Sequence, residues 1–441
     1  MECLERSRYL LLLIILSGLS LRLALAPYSA GSDLAQFYGF AGTMIEHKAC
    51  FYSYADATGF WNKGWPYPWP YVYGPVMAYI LAFIRYVAEG SVRAFWSGGN
   101  YYVYVDPTWA FSVKLVFLLA DTAVAFLLYL LLREKSKKLA ILGAALYYLN
   151  PITIHVSAVY GMFDGLALAF FLLGLYLTGR ERLSYALYGF SLAVKHTLVF
   201  PALLSLWDAV LGGRRAVQRI AFFLLGGLLP FLPMILLCPS SLKGLPDLLR
   251  GLNVSYTVPL SYSMNGVSSL ATYLHMTEGS DTLPVLRHWY VPALVLLSLV
   301  LIRHAFNRNL AVSAALAYAV FTATYWRVNP QYLVPLVAFL IILAALEGGA
   351  VTILSLFTAV YAGIWPIMQP SAFWFHVHME NPNWALVHFV DAVTFRVFSD
   401  EPYVAYSIGL TLLLYAVILT ATVPHLKNLK AWLSERKWVR A

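Results

Sequence analysis

Two short polar segments carry carboxylates that could do chemistry in a chain that is otherwise mostly apolar. The first is Gly31-Ser-Asp33-Leu-Ala-Gln, which directly follows a long apolar segment. A carboxylate at a membrane interface can take a proton from a hydroxyl nucleophile, and partial removal from water raises its basicity. Asp33 is therefore the first candidate for a general base. The alternative is that Asp33 only caps a helix starting at Leu34.

The second carboxylate, Asp164, ends the segment His-Val-Ser-Ala-Val-Tyr-Gly-Met-Phe-Asp164. An ionisable residue at membrane depth is a functional candidate by default, although Asp164 could instead cap a helix from Gly165. Lys195-His196 offers a cation for a lipid phosphate, unless Lys195 only snorkels its amine towards the interface. Further polar candidates for binding a substrate lie near later apolar segments: Arg327, Gln331, Tyr332, His376 and His378.

Metal and disulfide signals are weak. His376, His378 and Glu380 alternate, so they share one face only in an extended backbone, and we predict hydrogen bonds to phosphate or sugar there rather than a metal. No cofactor is predicted. The three cysteines lie far apart without a CxxC pair, so neither a disulfide framework nor a zinc site is expected. Walker and GxSxG motifs are absent, which gives no support to nucleotide hydrolysis or serine hydrolase chemistry.

The composition predicts the scaffold that must position these groups. Of the 441 residues, 61% are hydrophobic and 12% are charged, against roughly 25% charged in soluble proteins. Apolar runs of about 18 residues recur, and each is long enough to cross a hydrocarbon core of about 30 Å. The runs are continuous rather than alternating, which excludes an outer-membrane barrel. We therefore predict an all-α polytopic membrane protein with a single domain, 1–441.

Twelve spans are predicted, which places both termini on one side of the membrane. The short segments 184–196 and 198–212 are expected to pair as a helical hairpin. The apolar stretch 75–88 is interpreted as an interfacial or re-entrant helix on the outer face. The predicted spans are 9–26, 109–132, 139–155, 164–179, 184–196, 198–212, 219–237, 285–302, 310–326, 332–348, 350–367 and 403–423.

The distribution of Lys and Arg orients this arrangement. Eighteen of the 30 lie in short connections assigned to the cytoplasm, including the tail 424–441, and nine lie in the much longer outer segments 27–108, 239–284 and 368–402 and in short outer turns. This asymmetry follows the positive-inside rule. The net charge of +9 is therefore attributed to anionic lipid headgroups rather than to nucleic acid. Binding and catalytic groups are expected on the outer face, where the long connections lie.

The first outer segment also contains a dense aromatic and proline run from Trp65 to Pro75. Its rings could form an interfacial aromatic belt. The interleaved Pro and Gly fix a non-helical path, which a belt does not require, and aromatic faces also pack against sugar rings and isoprenoid chains. The run therefore remains a candidate substrate surface beside Asp33.

These motifs together resemble the GT-C superfamily of membrane glycosyltransferases. The resemblance rests on Asp33 early in a large first external loop, the turn Tyr73-Gly-Pro75, the Asn150-Pro dipeptide, Tyr160-Gly-Met-Phe-Asp164, Ala193-Val-Lys195 and Asn329-Pro-Gln-Tyr332, in the order of that family. It is strongest to dolichyl-phosphate-glucose-dependent glucosyltransferases and to GPI-type mannosyltransferases. It implies a bundle of about 12 transmembrane helices whose first external loop contains interfacial helices.

The resemblance also implies a function. Asp33 would act as the general base in an inverting transfer of a hexose from a polyprenyl-phosphate donor to a lipid-linked or glycolipid acceptor. Lys195, Arg327 and the late histidines would face the leaving phosphate. The site would lie on the external face of the cell membrane, or on the lumenal face of the endoplasmic reticulum in a eukaryote. Leu34-Ala35 follow Asp33 where other members carry a second acid, so no divalent metal is expected.

Two alternatives remain. A protein O-mannosyltransferase is less favoured because no soluble sugar-binding domain follows the apolar segments. A flippase or transporter of lipid-linked saccharides would need broken helices at the bilayer midplane and internal pseudosymmetry. In this sequence the polar groups are predicted to crowd at one face instead.

Overall fold

The computed structural model describes residues 2–55, 70–98, 100–243, 263–369, 371–394 and 400–427. Residues 65–69 of the aromatic run and 428–441 of the predicted tail lie outside the described residues. The helices and strands are α1 (Glu2–Leu25), α2 (Ser32–His47), α3 (Pro75–Val87), β1 (Val92–Ser97), β2 (Asn100–Val105), α4 (Pro107–Leu132), α5 (Lys137–Tyr148), α6 (Pro151–Ile154), α7 (Asp164–Tyr176), α8 (Glu181–Val194), α9 (Val199–Leu211), α10 (Ala216–Leu228), α11 (Leu232–Leu237), α12 (Gly266–Glu278), α13 (Tyr290–Asn307), α14 (Leu310–Thr324), α15 (Leu333–Leu346), α16 (Gly349–Ala362), α17 (Trp365–Met368), α18 (Trp384–Val393) and α19 (Asp400–Thr422).

The chain is predominantly helical, and six stretches in its described part are long and apolar enough to cross a membrane. A further pair of helices passes the same test together but is bent by 48°, at Lys137–Tyr148 and Pro151–Tyr160. Twelve spans are therefore not confirmed, because several predicted spans are apolar helices of 10–17 residues. The six long stretches are Tyr9–Tyr28, Pro107–Leu132, Gly213–Leu237, Pro284–Asn307, Gly349–Met368 and Glu401–His425.

Helix α3 corresponds to the apolar stretch 75–88, which was interpreted as an interfacial or re-entrant helix. It has 13 residues, which correspond to about 20 Å of helix and fall short of a ~30 Å hydrocarbon core. It is therefore too short to cross the membrane as a single helix, and its position on the outer face stays a prediction. Its C-terminal end exposes Phe83, Tyr86 and Val87.

The core is centred on α14 and α15. Both helices are apolar on all sides and are buried over almost their whole length, as expected for helices surrounded by other helices. Asn309 begins α14 by accepting the Val312 N–H at 3.1 Å, which satisfies one of the free donors of the first turn. One continuous cluster of buried apolar side chains runs from Ala30 to Ala421.

Helix α8 packs most closely against α10, and not against α9. The backbones meet at two glycines: a Cβ on Gly189 would lie 1.9 Å from the Phe223 carbonyl oxygen, and one on Gly226 would lie 1.9 Å from that of Ala186. Small residues allow this close approach between helices in a membrane. Segments 184–196 and 198–212 were predicted to pack against each other as a helical hairpin. The main partner of α8 is instead α10.

A β-hairpin in the first polar segment was not predicted. Strands β1 and β2 are antiparallel, with register Val92↔Val105 through Ser97↔Asn100. Gly98-Gly-Asn100 between two aromatic and β-branched runs is a hairpin signal that the sequence contains. Val105 also forms a parallel bridge to Met379, so the hairpin joins the first and last polar segments.

Helix α1 is attached to the bundle by a buried arginine. Nη1 of Arg22 donates to the Tyr148 carbonyl at 2.7 Å, and Nη2 lies 3.5 Å from Oδ2 of Asp121. The Arg22 side chain is fully buried. An arginine inside an apolar helix therefore faces protein rather than lipid, as expected for such residues.

A disulfide joins Cys50 to Cys238, with the two Cα atoms 5.3 Å apart. It connects the turn after α2 to the end of α11. The expectation of no disulfide was wrong because the two cysteines are 188 residues apart, and only the packing of the turn after α2 against α11 brings them together.

Candidate active site

Asp33 lies in the first turn of α2, beside a phenol. The helix begins at Ser32 with Gly31 as its N-cap and without a side-chain capping bond, so the alternative of a simple Asp33 cap is wrong. Oδ2 of Asp33 instead accepts a hydrogen bond from the Tyr160 hydroxyl at 2.5 Å. Asp33 as a whole residue is half-buried.

The backbone that leads to Asp33 is held by a buried lysine. Nζ of Lys114 donates to the Ala26 carbonyl at 3.0 Å and to the carbonyl and hydroxyl oxygens of Ser29 at 2.5 and 3.0 Å. The Ala30 N–H then donates to the Trp374 carbonyl at 2.8 Å. These bonds anchor the turn before α2 to α4 and to the last polar segment.

Asp164 and Lys195 form an ion pair deeper in the bundle. Nζ of Lys195 donates to Oδ2 of Asp164 at 2.6 Å, and the two side chains are 1% and 0% exposed. Phe163 is the N-cap of α7, without a side-chain capping bond, so Asp164 is not the predicted cap. Lys195 does not snorkel either. Its backbone is extended at the end of α8, and its amine is enclosed by protein.

Aromatic rings enclose the amine of Lys195. Nζ lies 4.5 Å from the ring centroid of Phe163, 5.3 Å from that of Tyr73 and 5.9 Å from that of Tyr332. Such cation–π contacts stabilise a desolvated charge. Gly74 makes the approach of Tyr73 possible, because a Cβ there would lie 1.9 Å from the Ala193 carbonyl oxygen.

Asp33 lies within electrostatic reach of this pair. Burial raises the pKa of Asp33, while the hydrogen bond from Tyr160 and the positive charges of Lys195 and Arg327 lower it to a smaller extent. The net effect is a pKa above the ordinary value for Asp. A carboxylate of raised pKa is a stronger base than an exposed one.

The other predicted residues lie at different distances from this centre. Tyr332 contributes its ring to the surroundings of Lys195, and Gln331 is buried next to it in the turn Pro330–Tyr332. The ring of His196 lies nearly parallel to that of Tyr73, with centroids 6.3 Å apart. Arg327 is half-buried, and its charge reaches Asp33.

The two late histidines have different surroundings. The His378 carbonyl accepts the Val105 N–H at 2.7 Å, and burial lowers the pKa of its imidazole, against the smaller opposing effects of a bond to the Val103 carbonyl and of the Asp33 charge. His378 therefore belongs to the neighbourhood of Asp33. His376 instead stacks on Trp384, with ring centroids 5.9 Å apart, and no contact places it with the predicted group.

Tyr160 and Lys114 are the residues that the sequence reasoning missed. Tyr160 was noted only as part of a motif, and Lys114 only as a basic residue within a span. The signal for Lys114 was a lysine in a long apolar segment. No spacing rule pairs Tyr160 with Asp33, because 127 residues separate them.

The four residues Asp33, Tyr160, Asp164 and Lys195 are called the carboxylate site below. Among the described residues, no three His, Cys, Asp or Glu side chains are grouped so that they could hold a metal ion. No protein-family model matches the sequence, and no curated protein matches it.

Proposed function

We propose that this protein is a GT-C-type glycosyltransferase that moves a mannose or glucose from polyprenyl phosphate to a lipid-linked or glycolipid acceptor. The observation that carries the proposal is the arrangement around Asp33. Its carboxylate is bound at one oxygen by Tyr160 and lies within reach of the positive charges of Lys195 and Arg327. A base next to cationic groups is what transfer from a phosphate-linked sugar requires.

In the proposed reaction, the acceptor hydroxyl gives its proton to Asp33 as its oxygen attacks the anomeric carbon. A new glycosidic C–O bond forms while the bond from the anomeric carbon to the phosphate oxygen breaks. The polyprenyl phosphate leaves with the electron pair, and a single displacement inverts the anomeric configuration. The protein contributes the base, the orientation of the two substrates and positive charge near the leaving group.

The two cations would contribute in different ways. Lys195 is enclosed and already bonded to Asp164 at 2.6 Å, so it would act as a fixed positive charge beneath the site. Arg327 is half-buried and would be the group that contacts the phosphate. Arginine suits this role because its planar guanidinium binds phosphate through two parallel hydrogen bonds.

The disulfide supports an external location for the carboxylate site. Structural disulfides form and persist mainly in oxidising compartments. Cys50 follows α2, the helix that carries Asp33, and it is bonded to Cys238 of the second long polar segment. This agrees with the prediction from the Lys and Arg distribution that both segments lie outside.

A lipid-linked-saccharide transporter is the second candidate. One observation favours it: the helix pair Lys137–Tyr148 and Pro151–Tyr160 is bent by 48° and ends at Tyr160. Discontinuous helices that lead to a binding site are typical of transporters. In that case Asp33 would bind a sugar without taking a proton.

The deciding experiment is transfer from a radiolabelled polyprenyl-phosphate hexose by purified protein, with mannose and glucose donors tested separately. We expect Asp33→Asn to lower the turnover by about 10²–10⁴-fold, the usual contribution of a general base. Asp281→Asn is the matched control because Asp281 is exposed and the same charge is removed. An Asp33→Asn protein that folds and transfers at the wild-type rate would contradict the base assignment. Donor binding or movement without transfer in the wild type would favour the transporter.

A further inference from the structure

We infer that Tyr160 is a positioning residue that aims the Asp33 carboxylate at the acceptor hydroxyl. The inference rests on the proposed function, because it assigns a role within the same site. It stands on the short contact between the two side chains and on the packing that allows the phenol only one position.

The contact engages one oxygen of the carboxylate. The Tyr160 hydroxyl donates to Oδ2 of Asp33 at 2.5 Å, a length typical of a hydrogen bond to a charged acceptor. Among the described residues no second side-chain hydrogen bond to this carboxylate is seen, so Oδ1 would be the oxygen that accepts the proton of a substrate hydroxyl. A carboxylate held by one oxygen cannot rotate freely, so the basic lone pairs of Oδ1 point in a fixed direction.

The ring of Tyr160 is confined on two sides. A Cβ on Gly31 would lie 2.5 Å from the ring, so only glycine permits this approach. On another side, the ring of Trp374 meets it edge-on, with centroids 5.0 Å apart. The Gly31 N–H also donates to the Tyr160 carbonyl at 3.0 Å, which ties the backbone of Tyr160 to the residue that precedes α2.

The backbone around Tyr160 is also specialised. His155–Tyr160 is a π-helix, and Gly161 ends it in the left-handed region with φ +88°. π-Helical turns occur frequently at functional sites. Tyr160 is the last residue of this turn and bonds Asp33 of α2, and Gly161 allows the chain to turn at once towards Asp164.

Removing the hydroxyl alone should change the ionisation of Asp33 in a known direction. Burial raises the pKa of Asp33, and the Tyr160 hydrogen bond opposes this. The other titratable or charged groups that act on Asp33 are left in place by Tyr160→Phe, namely Lys195, Arg327, Asp164, Tyr73, Tyr332 and His378. The pKa of Asp33 should therefore rise further in the variant.

The kinetic test is the pH profile of kcat/KM for Tyr160→Phe. Asp33 must be ionised to accept a proton, so activity falls as the pH drops through its pKa. We expect the acid limb of the profile to move to higher pH, with activity several-fold lower on the acid side and recovery as the pH rises. A purely structural role would lower the whole profile without moving the limb. Tyr86→Phe is the control, because Tyr86 is 83% exposed.

An infrared titration of the carboxyl band gives a readout that does not depend on transfer. The Asp33 band is assigned by its loss in Asp33→Asn, and we expect it to titrate at higher pH in Tyr160→Phe than in the wild type. If the band shifts but no variant or wild type transfers sugar, the transferase proposal fails and the Tyr160–Asp33 contact stands. If the wild type transfers sugar, and Tyr160→Phe shifts neither the infrared band of Asp33 nor the acid limb of the pH profile, the inference is overturned.

A double variant separates action through Asp33 from an independent effect. If Tyr160 acts through Asp33, Asp33→Asn combined with Tyr160→Phe should transfer no more slowly than Asp33→Asn alone, because residues that work as one unit are not additive. If the reduction in transfer rate in the double variant equals the product of the two single reductions, Tyr160 acts independently of Asp33 and the inference is contradicted.

Discussion

Asp33 and Asp208 each bond to a tyrosine, and they differ in how many side chains bond them. Asp33, which lies within electrostatic reach of Lys195 just before α9, accepts a bond from Tyr160 at Oδ2. Asp208, near the end of α9, accepts from Tyr185 at 2.5 Å on Oδ2 and lies 3.1 Å from Nε2 of His304 on Oδ1. Side chains bond Asp208 at both oxygens and tie helices together there, whereas Tyr160 is the one side chain seen to bond Asp33 among the described residues.

The surroundings of Asp208 support this distinction. Arg219 lies 3.9 Å from Asp208 and 3.1 Å from Glu181, so its charge is shared between two acids. A cavity of about 520 Å³ adjoins these three residues. The acidic residues and Arg219 that line this cavity pair with one another. We therefore assign a structural role to the network of Glu181, Asp208, Arg219 and His304, which connects helices α8, α9, α10 and α13.

The largest expected effect is the loss of stability when one partner of the buried Asp164–Lys195 pair is replaced. Lys195→Met leaves Asp164 fully buried without its cation, and breaking such a pair lowers the free energy of unfolding by about 3–5 kcal/mol. Thermal unfolding in detergent measures the loss. Replacing both partners, with Lys195→Met and Asp164→Leu, should restore much of the stability. If the single variant is as stable as the double, the pair is not buried as described.

The second-largest effect is expected at the disulfide between the turn after α2 and the end of α11. Cys50→Ser or Cys238→Ser removes a cross-link that closes a long loop, and we expect unfolding to become easier by about 2–4 kcal/mol. Reductant should destabilise the wild type and leave both variants unchanged. Cys3→Ser is the matched control. A wild type that is insensitive to reductant under unfolding conditions would contradict the cross-link.

The sequence predicted the predominantly helical class of the fold better than it predicted the contacts between side chains. Apolar length and charge composition report directly on helices in a membrane, and an acid after an apolar span stands out by type alone. The partners of Asp33 and Asp164 come from segments 127 and 31 residues away. Those contacts depend on helix packing, which no local pattern encodes.

The same limit explains the individual errors. Asp33 and Asp164 both precede helical residues, so local rules allowed helix caps as alternatives. Gly31 and Phe163 occupy the cap positions instead, and the carboxylates bond to Tyr160 and Lys195. The hairpin was missed although its Gly98-Gly-Asn100 turn is a local signal. Lys195 was predicted to bind a lipid phosphate, with snorkelling as the alternative, and its bond to Asp164 was not foreseen because the two residues are 31 positions apart.

The smallest expected effect compares Asp208 with Asp33 directly. Asp208→Asn removes the charge from a network that holds four helices, and losing hydrogen bonds to a charged group lowers the free energy of unfolding by about 1.5–3 kcal/mol. Because Asp208 is assigned no part in the chemistry, the transfer rate per folded molecule should stay near that of the wild type. Asp33→Asn should show the reverse, with transfer lost and stability kept, since burial already opposes the charge of Asp33. Thermal unfolding and transfer measured on the same preparations decide between the two patterns. If Asp208→Asn abolishes transfer without lowering stability, full bonding does not mark a structural carboxylate in this protein, and the site must extend to the far end of α9.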